Sequence, residues 1–176
     1  MAAGRTYTPI ATTKLTTDTS VVTFSSIPQT YTDIIVIFNG MITGDAWFLT
    51  LRFNGDTGTN YSTTLIEGSG SVAVSERLTN YAPGIVNSYS YANMSYDEGG
   101  IIKFNIMNYS NSNTYKSVLL TGGNANSAAR APGAAAAVGL WRNTNAITSI
   151  SIQSYLSSGI NIKSGATITL YGIAAA

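Results

Sequence analysis

TDIIVIFNG, residues 32–40, is the stretch that decides the fold, because five apolar side chains stand in a row between turn-forming residues. A short apolar run of this kind predicts a β-strand that is buried on both faces. Since side chains alternate along a strand, Ile35 and Ile37 share one face and their three apolar neighbours share the other. Either further parts of the same chain cover the face of Ile35 and Ile37, or a neighbouring chain covers it. We therefore assign both side chains to a candidate interface.

The rest of the sequence predicts a series of short strands separated by turns. We expect strands over residues 5–15, 21–24, 46–53, 61–67, 71–78, 85–91, 101–107, 115–120, 134–138, 147–152 and 167–173. The alanine run 134–138 has helix propensity, but the Pro-Gly pair before it and the Gly-Leu-Trp triplet after it favour a strand. Trp47 and Trp141 fall within strand patterns, which favours the core over a ligand site. Regular turns and few helix signals predict an all-β protein, a single antiparallel β-sandwich or jelly-roll-like domain.

The composition predicts one weakly charged domain. A length of 176 residues fits a single domain, and we expect residues 1–5 to form a flexible arm. Only 10% of the residues are charged and the net charge is +1, against a usual charged fraction of about 25%. Such a chain lacks the cationic field that nucleic acids and anionic membranes require, so neither is an expected partner. No apolar stretch approaches the ~18 residues of a spanning helix, and no signal peptide is expected.

The chain offers few reactive groups. Histidine and cysteine are both absent, which removes the usual general base, the common nucleophile systems, disulfides and thiolate metal sites. A glycosidase needs two carboxyl groups about 5–10 Å apart in one cleft, whereas Asp97 and Glu98 are adjacent and tend to diverge in a solvated turn. Lys103 and Lys116 are expected to point outward into solvent. We expect no enzyme, no catalytic residue, no cofactor and no metal.

Residues 54–58 (NGDTG) form the strongest hairpin signal in the chain. Their clustered oxygen atoms are of the kind that binds calcium, but the twelve-residue calcium-binding pattern with its closing glutamate is missing. A hairpin loop without an ion is therefore favoured over an ion site. The sequence leaves open whether this loop binds an ion.

Two further regions supply candidate interface residues. Tyr89, Tyr91 and Tyr96 lie close together in the sequence, where they suit either a stacking platform for sugar rings or a wet protein interface. A protein interface is favoured. Residues 122–133 (GGNANSAARAPG) are the best loop signal, and their length is typical of an interface excursion. We assign Arg130 in that loop to the interface together with the three tyrosines.

An ordered series of short motifs resembles a family of small tailed-bacteriophage virion structural proteins. The series covers nearly the full length of the chain. It consists of residues 7–13 (YTPIATT), 22–28 (VTFSSIP), 31–34 (YTDI), 52–56 (RFNGD), 139–141 (GLW), 147–150 (ITSI) and 170–173 (LYGI). The resemblance implies a role at the particle surface, as a head decoration, cement, head-fibre or tail-fibre protein, and it carries no catalytic residues across.

The resemblance and the composition together predict a non-enzymatic protein that decorates or cements a phage capsid. The expected partners are further copies of the chain and the major capsid protein or other virion proteins. A trimer is favoured because phage decoration and fibre proteins commonly form trimers, and a dimer stays open. The expected location is the virion surface, after synthesis in the host bacterial cytoplasm. The alternative is a tail-fibre adhesin that recognises host surface glycans.

Overall fold

The computed structural model describes residues 6–44, 48–88, 99–124, 133–154 and 159–174. No helix occurs in these segments, so they contain none that could span a membrane. The strands are β1 (Tyr7–Lys14), β2 (Val21–Phe24), β3 (Asp33–Gly40), β4 (Leu49–Phe53), β5 (Tyr61–Gly68), β6 (Ala73–Tyr81), β7 (Ile85–Val86), β8 (Gly100–Ile106), β9 (Lys116–Asn124), β10 (Ala134–Trp141), β11 (Ile150–Ser154) and β12 (Thr167–Ile173). The predicted arm of residues 1–5 lies outside the described residues.

The strands form two antiparallel sheets that pack against each other. The large sheet has eight strands in the order β1-β12-β3-β8-β9-β10-β5-β6, and the small sheet has four in the order β2-β11-β4-β7. Side chains from the two facing sides form one apolar core. The prediction of an all-β antiparallel sandwich is therefore confirmed, while a jelly-roll connectivity stays a prediction.

Strand β3 connects the sequence signal to this core. Ile34, Val36 and Phe38 point towards the small sheet and are fully buried. Their cross-strand neighbours are buried as well, for example Phe104 of β8 and Leu170 of β12, which both pair with Val36. Because each fully buried side chain of this size stabilises the fold by about 1.5–3 kcal/mol, this row of contacts fixes β3 inside the large sheet.

The alanine run forms a strand, as predicted, and it continues to Trp141. The predicted loop over residues 122–133 is wrong at its start, because β9 runs on through Gly122 and Gly123 to Asn124. Both glycines pair with β8 on one side and with β10 on the other. A Cβ atom at Gly122 would lie only 3.0 Å from the carbonyl oxygen of Ile101. Glycine here reflects close approach of a neighbouring strand rather than a turn.

Gly139 marks the place where the two sheets approach most tightly at β10 and β7. A Cβ atom at this position would lie 2.6–2.9 Å from three carbon atoms of the Ile85 side chain. Ile85 is itself fully buried, so it has no free space into which it can move. The missing side chain at Gly139 is therefore required for the packing of the sandwich.

We predict that Gly139→Ala lowers the free energy of unfolding by about 1–3 kcal/mol, because the added methyl group overpacks the core. Urea denaturation followed by tryptophan fluorescence measures this change. Gly99→Ala is the matched control, because a Cβ atom at Gly99 meets nothing within 4 Å, and we expect a change within about 0.5 kcal/mol. Equal stability of both variants would contradict the packing argument.

Candidate functional site: the outer face of the large sheet

The outer face of the large sheet, which points away from the small sheet, carries the two candidate residues of β3. Ile35 is only 4% exposed, with Tyr171 and Asn105 as its cross-strand neighbours on that face. Ile37 is half-buried and has Lys103 as a neighbour on β8. Neighbouring strands thus cover much of this part of the outer face within the chain itself. Whether either residue contacts a partner stays a prediction.

Further along the same face, four consecutive strands carry exposed aliphatic side chains. We call this set the apolar ridge. Its members are Ile101 of β8, Leu119 of β9, Val138 of β10 and Ile66 of β5, with exposed fractions of 55%, 44%, 53% and 62%. Leu119 and Val138 pair directly across β9 and β10. Ile66 lies one diagonal step from Val138, so these three side chains form one apolar patch, whereas the row of Lys103 and Thr121 separates Ile101 from Leu119.

Small residues leave depressions beside the ridge. Next to Ile66, a depression of about 650 Å³ is lined in part by Gly68, Ala134 and Ala136. A second depression of about 440 Å³ lies between Ile66 and Leu119. The face thus alternates protruding aliphatic side chains with shallow hollows, a relief that a complementary protein surface can fill.

The outer face of the small sheet has the opposite character. Its strands present Thr23, Ser151 and Arg52 in one cross-strand row. The hydroxyl oxygens of Thr23 and Ser151 are 2.9 Å apart, within hydrogen-bond distance. Arg52 donates from Nη2 to the carbonyl oxygens of Ala82 and Pro83. Val21 is the one large exposed apolar side chain on the described strands of the small sheet, whereas the large sheet carries five.

Four predicted interface residues lie outside the described residues, and their role stays a prediction: Tyr89, Tyr91, Tyr96 and Arg130. The described residues on either side of the segment that contains Arg130 lie close together. The amide of Asn124 donates to the carbonyl oxygen of Gly133 at 3.1 Å, and the amide of Gly133 donates back to Oδ1 of Asn124 at 2.6 Å. Asp97 and Glu98 also lie outside the described residues.

The 54–58 hairpin uses its carboxylate for internal hydrogen bonds. Oδ2 of Asp56 accepts from Nε1 of Trp141 at 2.7 Å and from Nδ2 of Asn60 at 2.8 Å, and Oδ1 accepts from the amide of Gly58 at 2.8 Å. Burial raises the pKa of Asp56, but these hydrogen bonds outweigh burial and hold the pKa below its ordinary value. Trp141 is fully buried, as predicted. The carboxylate of Asp56 therefore links the hairpin to Trp141 in the core through a hydrogen bond.

No group of three acidic side chains that could hold a metal ion occurs among residues 6–44, 48–88, 99–124, 133–154 and 159–174. The side chain of Asn54 in the same hairpin also makes hydrogen bonds within the protein. Its Oδ1 accepts from the amides of Thr148 and Ser149 at 2.9 and 3.1 Å, and its Nδ2 donates to the carbonyl oxygen of Ala146 at 2.8 Å. These bonds link β4 to the segment before β11.

The prediction that Lys116 points into solvent is wrong. Its side chain is 1% exposed and lies on the inner face of β9, opposite Trp141. Nζ donates to the carbonyl oxygens of Thr114 and Thr144 at 2.8 and 2.9 Å, and burial lowers the pKa of Lys116. The alternation of Lys116 with Val118 and Leu120 in the sequence already places all three on one face.

We predict that Asp56→Asn lowers the free energy of unfolding by about 1–3 kcal/mol at pH 7, because an amide nitrogen replaces one acceptor of charge-assisted hydrogen bonds. The folded-state pKa of Asp56 lies below the unfolded value. Its contribution is therefore fully present above the unfolded pKa of about 3.9 and is lost as the pH falls through the folded value. The difference between wild type and variant should shrink from pH 5 to pH 2 in urea titrations. A difference that does not change with pH would contradict this role.

Comparison with protein-family models, with curated proteins and with solved structures found no match to this chain. The resemblance to phage structural proteins therefore rests on the sequence motifs alone. The sandwich architecture rests on the structure.

Proposed function

We propose that this protein is a non-enzymatic structural protein of a tailed-phage particle. In this proposal the outer face of the large sheet attaches the protein to other protein subunits at the virion surface. The observation that carries the proposal is the apolar ridge on Ile66, Ile101, Leu119 and Val138. A ridge of this kind on one side of a sandwich is typical of a surface that binds protein.

Energetics favour protein contact at this face. About half of each ridge side chain is exposed, so its complete burial would stabilise a complex by about 1 kcal/mol per residue. Charged side chains are usually depleted from the centre of protein interfaces. On the strands of the described outer face they are few: Lys14, Asp33, Arg77 and Lys103. Lys103 lies between Ile101 and the other three ridge residues.

The phage-specific part of the proposal rests on the resemblance of the motifs, some of which contact one another in the fold. Residues far apart in the sequence come together at one end of the sandwich. Trp141 of the 139–141 motif donates to Asp56 of the 52–56 motif. Gly172 leaves room for the ring of Tyr31, which a Cβ atom at that glycine would approach to 2.4 Å. The motifs therefore contact one another in pairs within the fold, and the phage assignment rests on their resemblance.

We predict that gold-labelled antibody against this protein decorates intact virions of the phage that encodes it, as seen by negative-stain electron microscopy. Virions assembled with Val138→Lys should lose the label, because the substitution places a charge within the apolar ridge. Thr23→Lys, on the polar outer face of the small sheet, is the matched control and should keep it. Virions without label, or equal labelling with both variants, would contradict the proposal. Label confined to the tail tip would favour the adhesin alternative.

A further inference from the structure

We infer that the partner at the outer face of the large sheet is a second copy of the same chain, packed face to face about a two-fold axis. The inference rests on the proposed docking face and names its occupant. It differs from the trimer that the resemblance favours. Three observations carry it: the area of the face, the one-sided distribution of exposed apolar residues, and the relief and charge of the face.

The area of the face suits a stable dimer. With a two-fold axis between β9 and β10, six strands of each copy overlap, namely β3, β8, β9, β10, β5 and β6. Six strands about 4.8 Å apart, each about seven residues of about 3.3 Å long, give a contact face on the order of 670 Å². Standard protein interfaces bury roughly 600–1,000 Å² on each partner. Two copies packed face to face therefore bury enough surface for a specific complex.

Five of the large exposed apolar side chains of the described residues lie on strands of the large sheet, one lies on the small sheet and three lie between strands. Among the described residues the large exposed apolar side chains are Tyr7, Val21, Ile66, Val72, Ile101, Met107, Tyr115, Leu119 and Val138. Only Val21 belongs to a strand of the small sheet. A trimeric ring needs two different complementary patches on each subunit, whereas a single patch that meets itself produces a two-fold interface. The one-sided distribution therefore favours a dimer.

The relief of the face is complementary to itself. Ile101, Gly123, Ala134 and Gly68 stand in one cross-strand row from β8 to β5. A two-fold axis that runs parallel to the strands between β9 and β10 lays β8 of one copy over β5 of the other. Ile101 then projects towards Gly68 of the second copy, at the depression of about 650 Å³. Aligned sheets packed about 10 Å apart provide the space for this contact.

The same axis also determines which charges meet. It lays Arg77 of β6 over Ile35 of the second copy, two residues along β3 from Asp33. Both charged side chains belong to the outer face according to the strand register. Lys103 lies over Ile66 of the second copy rather than over its own counterpart. Opposite charges therefore approach each other, and the two copies of Lys103 stay apart.

Sedimentation-velocity centrifugation of the full chain at micromolar concentration tests the inference, and we expect a dimer. Val138→Lys and Ile101→Lys should each raise the dissociation constant at least about a hundredfold, because each charge enters the interface twice. Thr23→Lys should leave the dimer unchanged. Val138→Thr keeps the shape and strand propensity and should weaken the dimer less. Far-UV circular dichroism and melting temperature verify that each variant is folded.

The chain has no cysteine, which permits a test of the geometry. An equal mixture of Leu119→Cys and Val138→Cys should give dimers with a short bis-maleimide cross-linker, because the axis between β9 and β10 brings these positions together. Thr23→Cys should give none. Absence of the mixed cross-link, or equal yield with Thr23→Cys, would overturn the proposed axis.

The outcomes separate this inference from the proposed function. A monomer or trimer in solution whose attachment to virions still depends on Val138 would overturn the dimer but leave the docking face intact. A dimer that persists with both lysine variants would overturn the face as its interface. A dimer at this face without labelling of virions would support the dimer and contradict the phage role.

Discussion

The complete burial of one side of β3 is the constraint on which the rest of the structure depends. Ile34, Val36 and Phe38 have no exposed surface, so a second sheet must lie over them. A shift of the strand register by one residue would exchange these side chains with Ile35 and Ile37. Because both sets are apolar, the strand also requires cover on its outer side. Strand β3 thus contributes apolar side chains both to the core and to the outer surface of the large sheet.

The outer faces of the large and the small sheet differ in how many apolar side chains they leave exposed. Neighbouring strands already cover Ile35 on the outer face, whereas Ile66, Ile101, Leu119 and Val138 protrude further along the same sheet. The small sheet presents Thr23, Ser151 and Arg52 on its outer face together with one exposed apolar side chain, Val21. The large sheet therefore carries more exposed apolar side chains than the small sheet among the described residues, and the proposed role in assembly rests on this difference.

Much of the fold follows from the sequence because strand signals are local. The bounds of β2 and β12 agree with the predicted ranges 21–24 and 167–173, where β-branched residues alternate between clear turns. Gly122 and Gly123 were misassigned because glycine marks both turns and places of close strand approach, and only the paired strands distinguish the two. Lys116 was misassigned because a charged residue is expected in solvent. Its alternation with Val118 and Leu120 places all three on one face, and the assembled sheets show that this face is the inner one.

The candidate site was less predictable. Alternation divides each strand into two faces but does not say which face of β5, β9 or β10 another sheet covers, so the apolar ridge emerged only from the assembled sheet.

Hydroxyl-radical footprinting of the protein at high and low concentration measures the solvent exposure of aliphatic side chains in solution, and so detects whether a second copy covers the apolar ridge. We expect Ile101, Leu119 and Val138 to be oxidised much less at high concentration, while oxidation of Val21 on the small sheet does not change. Equal oxidation of the ridge at both concentrations would contradict the claim that this face is covered by a second copy.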